Sequence, residues 1–379
     1  MGPTSGGPAD LLFDARHIHQ SGIGTYIGTL LPELEAVFAD RGLSLAILAA
    51  EHAIPEVHDG TTVIVDGQGA SMYSLGEQRV WSSVLKALRP RGMWIPHYTF
   101  PLAALKPSHR GTLLFVTVHD TLHVMEQRIS GQNGARRAYA RTMLGLDVRR
   151  CRTIFTPSQA TAAMLPSAKG GAHVEVSPIP VDERWFLPVD AALSPVREPF
   201  ILYVGNAKWH KNLPLLLTAY AEVADQIPHR LVIAGSGESL RGGDDRVPAL
   251  AAAQGDRVEV MGRLDFDVLR SLMSCADLLV MPSLHEGAGL PPIEAMACRT
   301  AVLASDIAAL RETCGAGADY FDPNDAGELA GLLVRLGRDE QARAALAERG
   351  WSHVTARQAG LSLRPSAASV ADELGAPVP

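Results

Sequence analysis

A glycine-containing segment with two glutamates eight residues apart is the strongest chemical feature of the sequence. It reads SLHEGAGLPPIEAMA over residues 283–297, where Glu286 precedes the glycines and Glu294 lies in the first turn of a predicted helix. Backbone N–H groups at a helix N-terminus bind anions, and glycine lets a phosphate approach the chain closely. Taken alone, Glu294 is more simply a favourable charge at a helix start. The pair together favours hydrogen bonds to sugar and ribose hydroxyls beside a bound phosphate.

A second loop, YVGNAKWHKN over residues 203–212, also follows a predicted strand and precedes a helix. Lys211 comes shortly after the turn at Gly205, and a lysine placed there neutralises charge on a departing diphosphate. Lys208 is a further cation of this loop, with a solvated surface lysine as an equal alternative.

Two segments of the N-terminal half also lie at predicted strand ends. SGIGTY, residues 21–26, follows the first strand, but its glycines miss the dinucleotide-binding spacing by one residue, so the pattern alone is weak. VHD, residues 118–120, ends a later strand, where doubly wound sheets bind their ligands. A lone histidine such as His119 is more often structural, and its position favours a functional role.

In this order the segments resemble glycosyltransferase family 4, whose members have the GT-B fold and retain the anomeric configuration. Residues 283–297 are similar to the family's E-x7-E region. The resemblance implies that Glu286 contacts the donor sugar, Glu294 contacts the nucleotide ribose, and the amides around Gly289 and Leu290 meet the diphosphate. Ala288 replaces the aromatic residue that is usual in the family, which alters the predicted sugar pocket.

The loop around Lys211 is similar to the family's V-G-x-x-x-x-R-K-N segment, so Lys211 takes the phosphate role. His210 stands where arginine is usual, and Lys208 or a protonated His210 would supply the missing charge. The VHD loop is similar to the loop whose histidine lies near the donor sugar and the acceptor. The resemblance therefore implies three catalytic residues, which are His119, Lys211 and Glu286.

The resemblance also implies a donor site and an acceptor site, and Gly262 and Arg263 resemble the loop that borders the nucleotide base. The predicted donor-binding residues are Gly22, Gly24, Gly205, Lys208, His210, Lys211, Gly262, Arg263, Gly287, Gly289, Leu290 and Glu294. The predicted acceptor-binding residues are Tyr26, His97, Tyr98 and Asp120.

Possible metal-ligand patterns are present in the sequence, but none of them favours a metal site. Asp265-Phe266-Asp267 is nominally a DxD motif, but it precedes an amphipathic helix, so a helix N-cap is favoured. The pairs His17/His19 and His119/His123 have no evident third ligand in the sequence. We therefore predict no metal and no cofactor, with the nucleotide sugar as a substrate.

Short apolar runs alternate with helical patterns along the chain. Predicted strands such as Leu11–Asp14, Phe200–Val204 and Leu278–Met281 alternate with helices such as Ile27–Phe38. This alternation indicates parallel sheets with crossover helices. We predict an α/β GT-B architecture, with two doubly wound Rossmann-like domains facing each other across a cleft.

The predicted domain boundaries follow from a proline-rich stretch without periodicity near residues 182–198. Residues 1–182 form an acceptor-binding domain, 183–198 a linker, and 199–355 a nucleotide-sugar-binding domain. Residues 356–379 form a tail that crosses back to the first domain, and both termini are expected to fray.

Composition and charge exclude several classes of protein. The net charge is −7, which does not resemble a nucleic-acid binder. No apolar run approaches the roughly 20 residues of a membrane span, and the first residues lack a signal-peptide pattern, so we expect a cytoplasmic protein. The four cysteines form no CxxC pair and fit a reducing compartment.

These features predict a retaining transferase that moves a hexosyl group from a GDP- or UDP-sugar to an acceptor hydroxyl, in polysaccharide or natural-product biosynthesis. One alternative is another GT-B enzyme, such as a sugar-nucleotide epimerase or a phosphorylase. A pyridoxal-dependent phosphorylase needs a Schiff-base lysine, and the C-terminal half offers only Lys208 and Lys211. The other alternative is a degenerate, non-catalytic binding subunit.

An arginine-rich stretch bears on the acceptor. Residues 135–152 contain six arginines, among them Arg136, Arg137 and Arg141. They fit either a solvated helix or a basic face for peripheral contact with an anionic membrane, where each arginine adds about 1 kcal/mol. Charge on both flanks favours a soluble acceptor over a lipid-linked one.

Overall fold

The computed structural model describes residues 9–167, 171–235 and 243–375, which form two compact units. The first comprises the described parts of Met1–Thr121, Ala135–Pro180 and Ser362–Pro379. The second comprises Leu122–Gly134 and the described parts of Val181–Leu361. Each unit contains one parallel sheet with crossover helices, so the predicted pair of doubly wound α/β domains is confirmed.

Seven parallel strands form the sheet of the first unit. They are β1 (Leu11–Asp14), β2 (Leu45–Ala50), β3 (Thr62–Asp66), β4 (Gly92–Ile95), β5 (Leu113–Thr117), β6 (Thr153–Thr156) and β7 (His173–Val176). Their order is β3-β2-β1-β4-β5-β6-β7. Because the order reverses between β1 and β4, the carboxyl ends of these two neighbours flank the switch point where such sheets bind ligands.

Five helices of the described residues precede the second sheet in the chain. They are α1 (Ser21–Asp40), α2 (Leu75–Leu88), α3 (Gln127–Ser130), α4 (Gly134–Arg150) and α5 (Gln159–Ala163). Serine side chains cap the N-termini of α2 and α5. The Ser74 hydroxyl accepts a hydrogen bond from the Glu77 N–H, and the Ser158 hydroxyl accepts one from the Thr161 N–H. Such caps satisfy N–H groups that have no partner inside the helix.

Six parallel strands form the sheet of the second unit. They are β8 (Phe200–Val204), β9 (Arg230–Ala234), β10 (Val258–Val260), β11 (Leu278–Met281), β12 (Ala301–Ser305) and β13 (Asp319–Phe321), in the order β10-β9-β8-β11-β12-β13. The helices that follow α5 are α6 (Leu213–Val223), α7 (Arg246–Ala252), α8 (Phe266–Cys275), α9 (Leu290–Ala297), α10 (Ala308–Cys314), α11 (Ala326–Arg338), α12 (Glu340–Gln358) and α13 (Arg364–Gly375).

The core of the second unit covers both faces of its sheet. Ile201 and Tyr203 of β8 belong to one buried cluster, whereas Phe200 and Leu202 belong to another. Successive side chains of a strand point to opposite faces, so a strand buried on both sides must be apolar throughout. This requirement explains the continuous apolar runs from which the strands were predicted.

The first helix begins earlier than predicted, at Ser21 rather than at Ile27. Gly24 allows this, because a Cβ there would lie 2.3 Å from the carbonyl oxygen of Ile18. The glycine segment is therefore the first turn of α1 and not a separate loop. No helix among the described residues is long and apolar enough to span a bilayer.

The division into units differs from the predicted boundaries in three places. Two of them are residues 183–198, predicted as a linker, and 356–361, predicted as tail, which belong to the second unit. Leu122–Gly134, assigned by sequence to the first domain, groups with the second unit, where a Cβ on Gly131 would lie 2.8 Å from the Trp209 ring. The predicted tail contains α13, which packs on α1 with Leu374 fully buried, so it does not fray there. The fraying predicted for residues 1–8 and 376–379 lies outside the described residues.

Candidate active site

Four loops of the second unit leave neighbouring strands at the carboxyl edge of its sheet. They begin after β10, β9, β8 and β11, which lie side by side in that order. The loops after β8 and β11 contact each other, because the Leu284 N–H donates to the carbonyl oxygen of His210 at 2.7 Å. The strand order therefore joins the two loops that the sequence singled out.

A charged pair links these two loops. Lys211 Nζ lies 2.7 Å from Glu286 Oε1, although the residues are 75 positions apart in the chain. Ser283 Oγ donates to the same oxygen at 2.6 Å. The side chains of Lys211 and Glu286 are 15% and 10% exposed, so the pair is partly buried but open to a ligand.

Glycine turns line the same edge. Gly205 has φ +151° and Gly235, which follows β9, has φ +92°. A Cβ on Gly235 would lie 3.3 Å from the carbonyl oxygen of Gly205, so the two turns pack closely. Sequence reasoning missed Gly235, although a glycine directly after an apolar strand was the signal that identified Gly205.

The start of α9 presents few backbone donors. Gly289 has φ +62°, a conformation that favours glycine, and a Cβ there would displace Leu310 Cδ2, which would lie 2.5 Å away. Pro291 and Pro292 follow in the first turn and have no N–H group. The amides of Gly289 and Leu290 are therefore the N–H groups that this end can offer an anion, and buried Gly287 lies in the loop before them.

Glu294 lies on α9 and is partly buried. Burial raises the pKa of its carboxyl to about 7, with a smaller contribution from the negative charge of Asp182. A group with this pKa changes its charge near neutral pH, which makes any ligand contact through it dependent on pH.

The remaining predicted donor residues of the second unit are more exposed. Lys208 and Arg263 are exposed, His210 is half-buried in the turn before Lys211, and Gly262 follows β10 with its carbonyl accepting the Gly235 N–H. Asp265 is the N-cap residue of α8, as predicted, although its side chain makes no capping hydrogen bond.

The predicted residues of the first unit fall into two groups. Gly22 and Gly24 lie in the first turn of α1, and Tyr98 and Asp120 are half-buried at loops after β4 and β5. The Tyr98 ring stacks on that of Tyr73 at a centroid distance of 5.0 Å. Tyr73, which the sequence did not single out, has φ +62°, a conformation that a bulky residue rarely adopts.

Two residues predicted to contact the acceptor are buried in the first unit. Tyr26 is 1% exposed, and its hydroxyl accepts a hydrogen bond from Thr117 Oγ1 at 3.0 Å. His97 is also 1% exposed and lies 2.9 Å from Glu77 Oε1. Neither side chain has a surface for an acceptor in this structure, because both pack in the interior of the first unit.

His119 packs edge-to-face on the Tyr26 ring, and its Nε2 lies 3.0 Å from the carbonyl oxygen of Pro96. Burial lowers the pKa of His119 to about 4, despite opposing contributions from Asp120 and the Pro96 carbonyl. The imidazole is therefore neutral at pH 7, and Nε2–H is the tautomer that donates to Pro96.

Of the two predicted histidine pairs, only His17 lies in a group of described side chains with the geometry to hold a metal ion. His17, Glu77 and His97 offer ligand atoms that all lie within 4.8 Å of one another. Glu77 had no role in the sequence analysis, and the Ser74-x-x-Glu77 capping pattern was the signal available for it.

Comparison with known proteins supports a glycosyltransferase. The sequence pattern of the family "Glycosyl transferases group 1" matches residues 190–353. The chain is 26% identical over 253 residues to the O-antigen chain mannosyltransferase RfbU of Salmonella typhimurium, covering 64% of this chain and 70% of RfbU. It is 34% identical over 150 residues to the serotype-specific mannosyltransferase WbdA of Escherichia coli, covering 38% of this chain and 18% of WbdA.

Solved structures share the whole architecture at low sequence identity. Sucrose-phosphate synthase of Thermosynechococcus elongatus aligns over 96% of this chain and 98% of its own, with a TM-score of 0.72 and 20% identity. Anabaena HepE in complex with UDP-glucose aligns over the same fractions, with a TM-score of 0.68 and 18% identity. The chain has the GT-B fold, and together with the matched family and the mannosyltransferase relatives this supports a GT-B glycosyltransferase.

Proposed function

We propose that this protein is a retaining glycosyltransferase that moves a hexosyl group from a GDP- or UDP-sugar to an acceptor hydroxyl. The observation that carries the proposal is the contact of Lys211 with Glu286 at the carboxyl edge of the second sheet. The resemblance to family 4 gives these two residues complementary roles toward one donor, the lysine toward its phosphates and the glutamate toward its sugar.

In this proposal the leaving diphosphate is stabilised by one cation and by backbone dipoles. Lys211 Nζ donates one of its three hydrogens to Glu286, so the others remain for phosphate oxygens. The N–H groups of Gly289 and Leu290 face the same charge from the start of α9. Donors fixed before the reaction stabilise developing charge without a reorganisation cost, which is the main source of catalysis in such a site.

Glu286 orients the sugar. Both its contact with Lys211 and its contact with Ser283 are made through Oε1. No hydrogen bond to Oε2 occurs among the described residues, so that oxygen accepts from a sugar hydroxyl in this proposal. Glu294, on the following helix, accepts from the ribose hydroxyls once its carboxyl is ionised.

The acceptor hydroxyl attacks the anomeric carbon from the face that the diphosphate leaves, and a phosphate oxygen takes its proton. The resemblance to family 4 is the support for this retaining course. Within the first unit, half-buried Tyr98 and Asp120 are the acceptor contacts that we retain, and His119 contributes as a neutral imidazole. We propose a donor site without metal, because Lys211 and the backbone amides neutralise the phosphate. We also propose a soluble acceptor.

The names of RfbU and WbdA favour mannose as the transferred sugar. Purified protein incubated with GDP-mannose, GDP-fucose, UDP-glucose and UDP-galactose should hydrolyse or transfer one of them, and NMR should show retained configuration in the product. Glu286→Ala should lower turnover at least tenfold while changing affinity for the free nucleoside diphosphate less than about threefold.

Glu222→Ala, at an exposed position of α6, is the matched control and should leave both quantities unchanged. Binding of a nucleotide sugar without hydrolysis or transfer to any acceptor tested would favour the non-catalytic alternative. An inverted product would refute the retaining course.

A further inference from the structure

A buried cluster of two histidines and one glutamate lies at the carboxyl edge of the first sheet. His17 follows β1, His97 follows the neighbouring strand β4, and Glu77 lies in the first turn of α2. The three side chains are at most 3% exposed. Parallel strands end at the same edge, so residues far apart in the chain meet there.

Glu77 Oε1 is the common partner in this cluster. It lies 2.9 Å from His97 Nε2 and 3.7 Å from His17 Nε2. Two ligands bound at about 2.1 Å to one tetrahedral zinc ion lie roughly 3.4 Å apart. These two separations fall on either side of this value, and the third, between the His17 and His97 nitrogens, is at most 4.8 Å. Side-chain movements of about an ångström would bring the three atoms to one ion.

The other oxygen of Glu77 is already held in place. Oε2 accepts the Tyr73 N–H at 2.9 Å, and Ser74 Oγ accepts the Glu77 N–H at 3.1 Å. These contacts are typical of a helix N-terminus and account for the position of Oε2. They do not account for the position of Oε1, which faces two histidines. A carboxylate oriented by a backbone bond in this way is typical of metal ligands.

Hydrogen bonds among the described residues do not account for the position of His17. Neither of its ring nitrogens has a hydrogen-bond partner among the residues that the structure describes, and His97 Nδ1 also lacks one. The 3.7 Å separation from Glu77 is too long for a hydrogen bond. Buried polar atoms without partners are costly and usually indicate a bound water or ion.

The buried carboxylates of the cluster outnumber its guanidinium. Asp14, Asp66 and Glu77 are buried carboxylates, and the Arg16 guanidinium contacts all three, at 2.7, 3.3 and 3.6 Å. Burial raises the pKa of Asp14, but the charge and hydrogen bonds of Arg16 outweigh it and lower that pKa to about 2. One guanidinium thus faces three buried carboxylates, and a divalent cation, or protons on the two histidines, would supply the remaining positive charge.

We propose that His17, Glu77 and His97 bind one divalent transition-metal ion of the zinc type. Two imidazoles and one carboxylate are a donor set that zinc prefers, with a fourth position open to water. The ion would give His17 a partner and compensate the buried carboxylates. The site lies within the first unit and stabilises it, and it is independent of the proposed donor chemistry.

Direct metal binding to the full chain tests the proposal. Protein treated with a chelator and dialysed is titrated with Zn²⁺, and bound metal is measured by equilibrium dialysis with elemental analysis. One zinc per chain is expected, with a rise in the unfolding temperature of about 5 °C or more at a hundredfold excess over Kd. Co²⁺ in the same site should show the visible absorption of a low-coordinate ion.

Matched substitutions locate the bound ion. His17→Gln and Glu77→Gln should each weaken binding at least tenfold, whereas His19→Gln, at an exposed position of the same loop, should bind like the wild type. Circular dichroism checks that the variants fold. If the wild-type protein binds no stoichiometric zinc, the proposal is wrong. A bound water or protonated histidines would then account for the cluster. Binding that survives both triad substitutions also overturns it.

Discussion

Charged side chains lie at the carboxyl edges of both sheets, but they differ in how far water reaches them. In the first unit the side chains of Asp14, Arg16 and Glu77 are at most 1% exposed. Trp81 closes this cluster, because its indole N–H donates to Asp14 at 2.7 Å. In the second unit Lys211 and Glu286 are 15% and 10% exposed.

The difference follows from what surrounds each group. Large side chains and a helix start enclose the first cluster, so its polar groups are shielded from water. Glycines with positive φ surround the second, and glycine leaves room for a large ligand beside the backbone. The same sheet architecture thus presents one closed polar cluster and one open polar edge. We expect the first to govern stability and the second to govern ligand binding.

Removal of Arg16 should have the largest effect on stability. Arg16→Ala leaves Asp14 and Asp66 buried without their cation, and breaking a buried ion pair in this way costs about 3–5 kcal/mol. Urea denaturation at pH 7 in metal-free buffer measures the free energy of unfolding. Arg150→Ala, at the exposed end of α4, should change it by less than about 0.5 kcal/mol. A loss below about 1 kcal/mol for Arg16→Ala would show that the cluster is not a stability element.

Removal of Lys211 should act on ligand binding instead. Lys211→Ala should lower nucleoside-diphosphate affinity or turnover at least tenfold, about 1.4 kcal/mol, because it removes the cation nearest the predicted phosphate. Titration calorimetry and steady-state kinetics measure the two effects. Lys86→Ala, at an exposed position of α2, is the matched control. Near-normal values for Lys211→Ala, with an intact fold, would remove the donor assignment.

Glu294 should make nucleotide affinity depend on pH. Its pKa of about 7 leaves the carboxyl largely protonated at pH 6 and largely ionised at pH 8. Ribose hydroxyls donate hydrogen bonds, which favours the ionised form, so nucleoside-diphosphate affinity should rise by up to about tenfold over this range.

Phosphate ionisation of the ligand also contributes to the pH profile. Glu294→Gln has the same shape but no titratable carboxyl, so the difference between wild type and variant isolates the glutamate. Parallel profiles for the two proteins would contradict a ribose contact through Glu294.

The smallest expected effect is that of chelation on nucleotide binding by the second unit. Nucleoside-diphosphate affinity measured with and without EDTA should agree within about twofold, because Lys211 and backbone amides, not a metal, neutralise the phosphate in our proposal. The unfolding temperature of zinc-loaded protein should fall under the same treatment if the first unit holds an ion. Loss of nucleotide affinity restored by Mg²⁺ or Mn²⁺ would require a metal at the donor site.

The sequence by itself determined the elements and the candidate loops. β1, β8 and β11 have the bounds predicted from apolar runs, because strands buried on both faces must be apolar throughout. The glycines at Gly205 and Gly289 were also singled out from the sequence, and both have positive φ, whereas the close approach that requires Gly24 is known only from the structure. The requirements for apolar strands and for glycine at positive φ are local. Each restricts the residue types at the positions concerned and can therefore be recognised in the sequence.

Only the tertiary structure decided which predicted residues meet and which are enclosed. The Lys211–Glu286 contact depends on β8 and β11 being neighbours, although β9 and β10 lie between them in the chain. The burial of Tyr26 and His97, and the approach of Glu77 to both histidines, depend in the same way on how helices cover the first sheet. Local periodicity records which face of an element is apolar, but not which distant element covers it, because strand order is set by crossovers and packing of the whole domain.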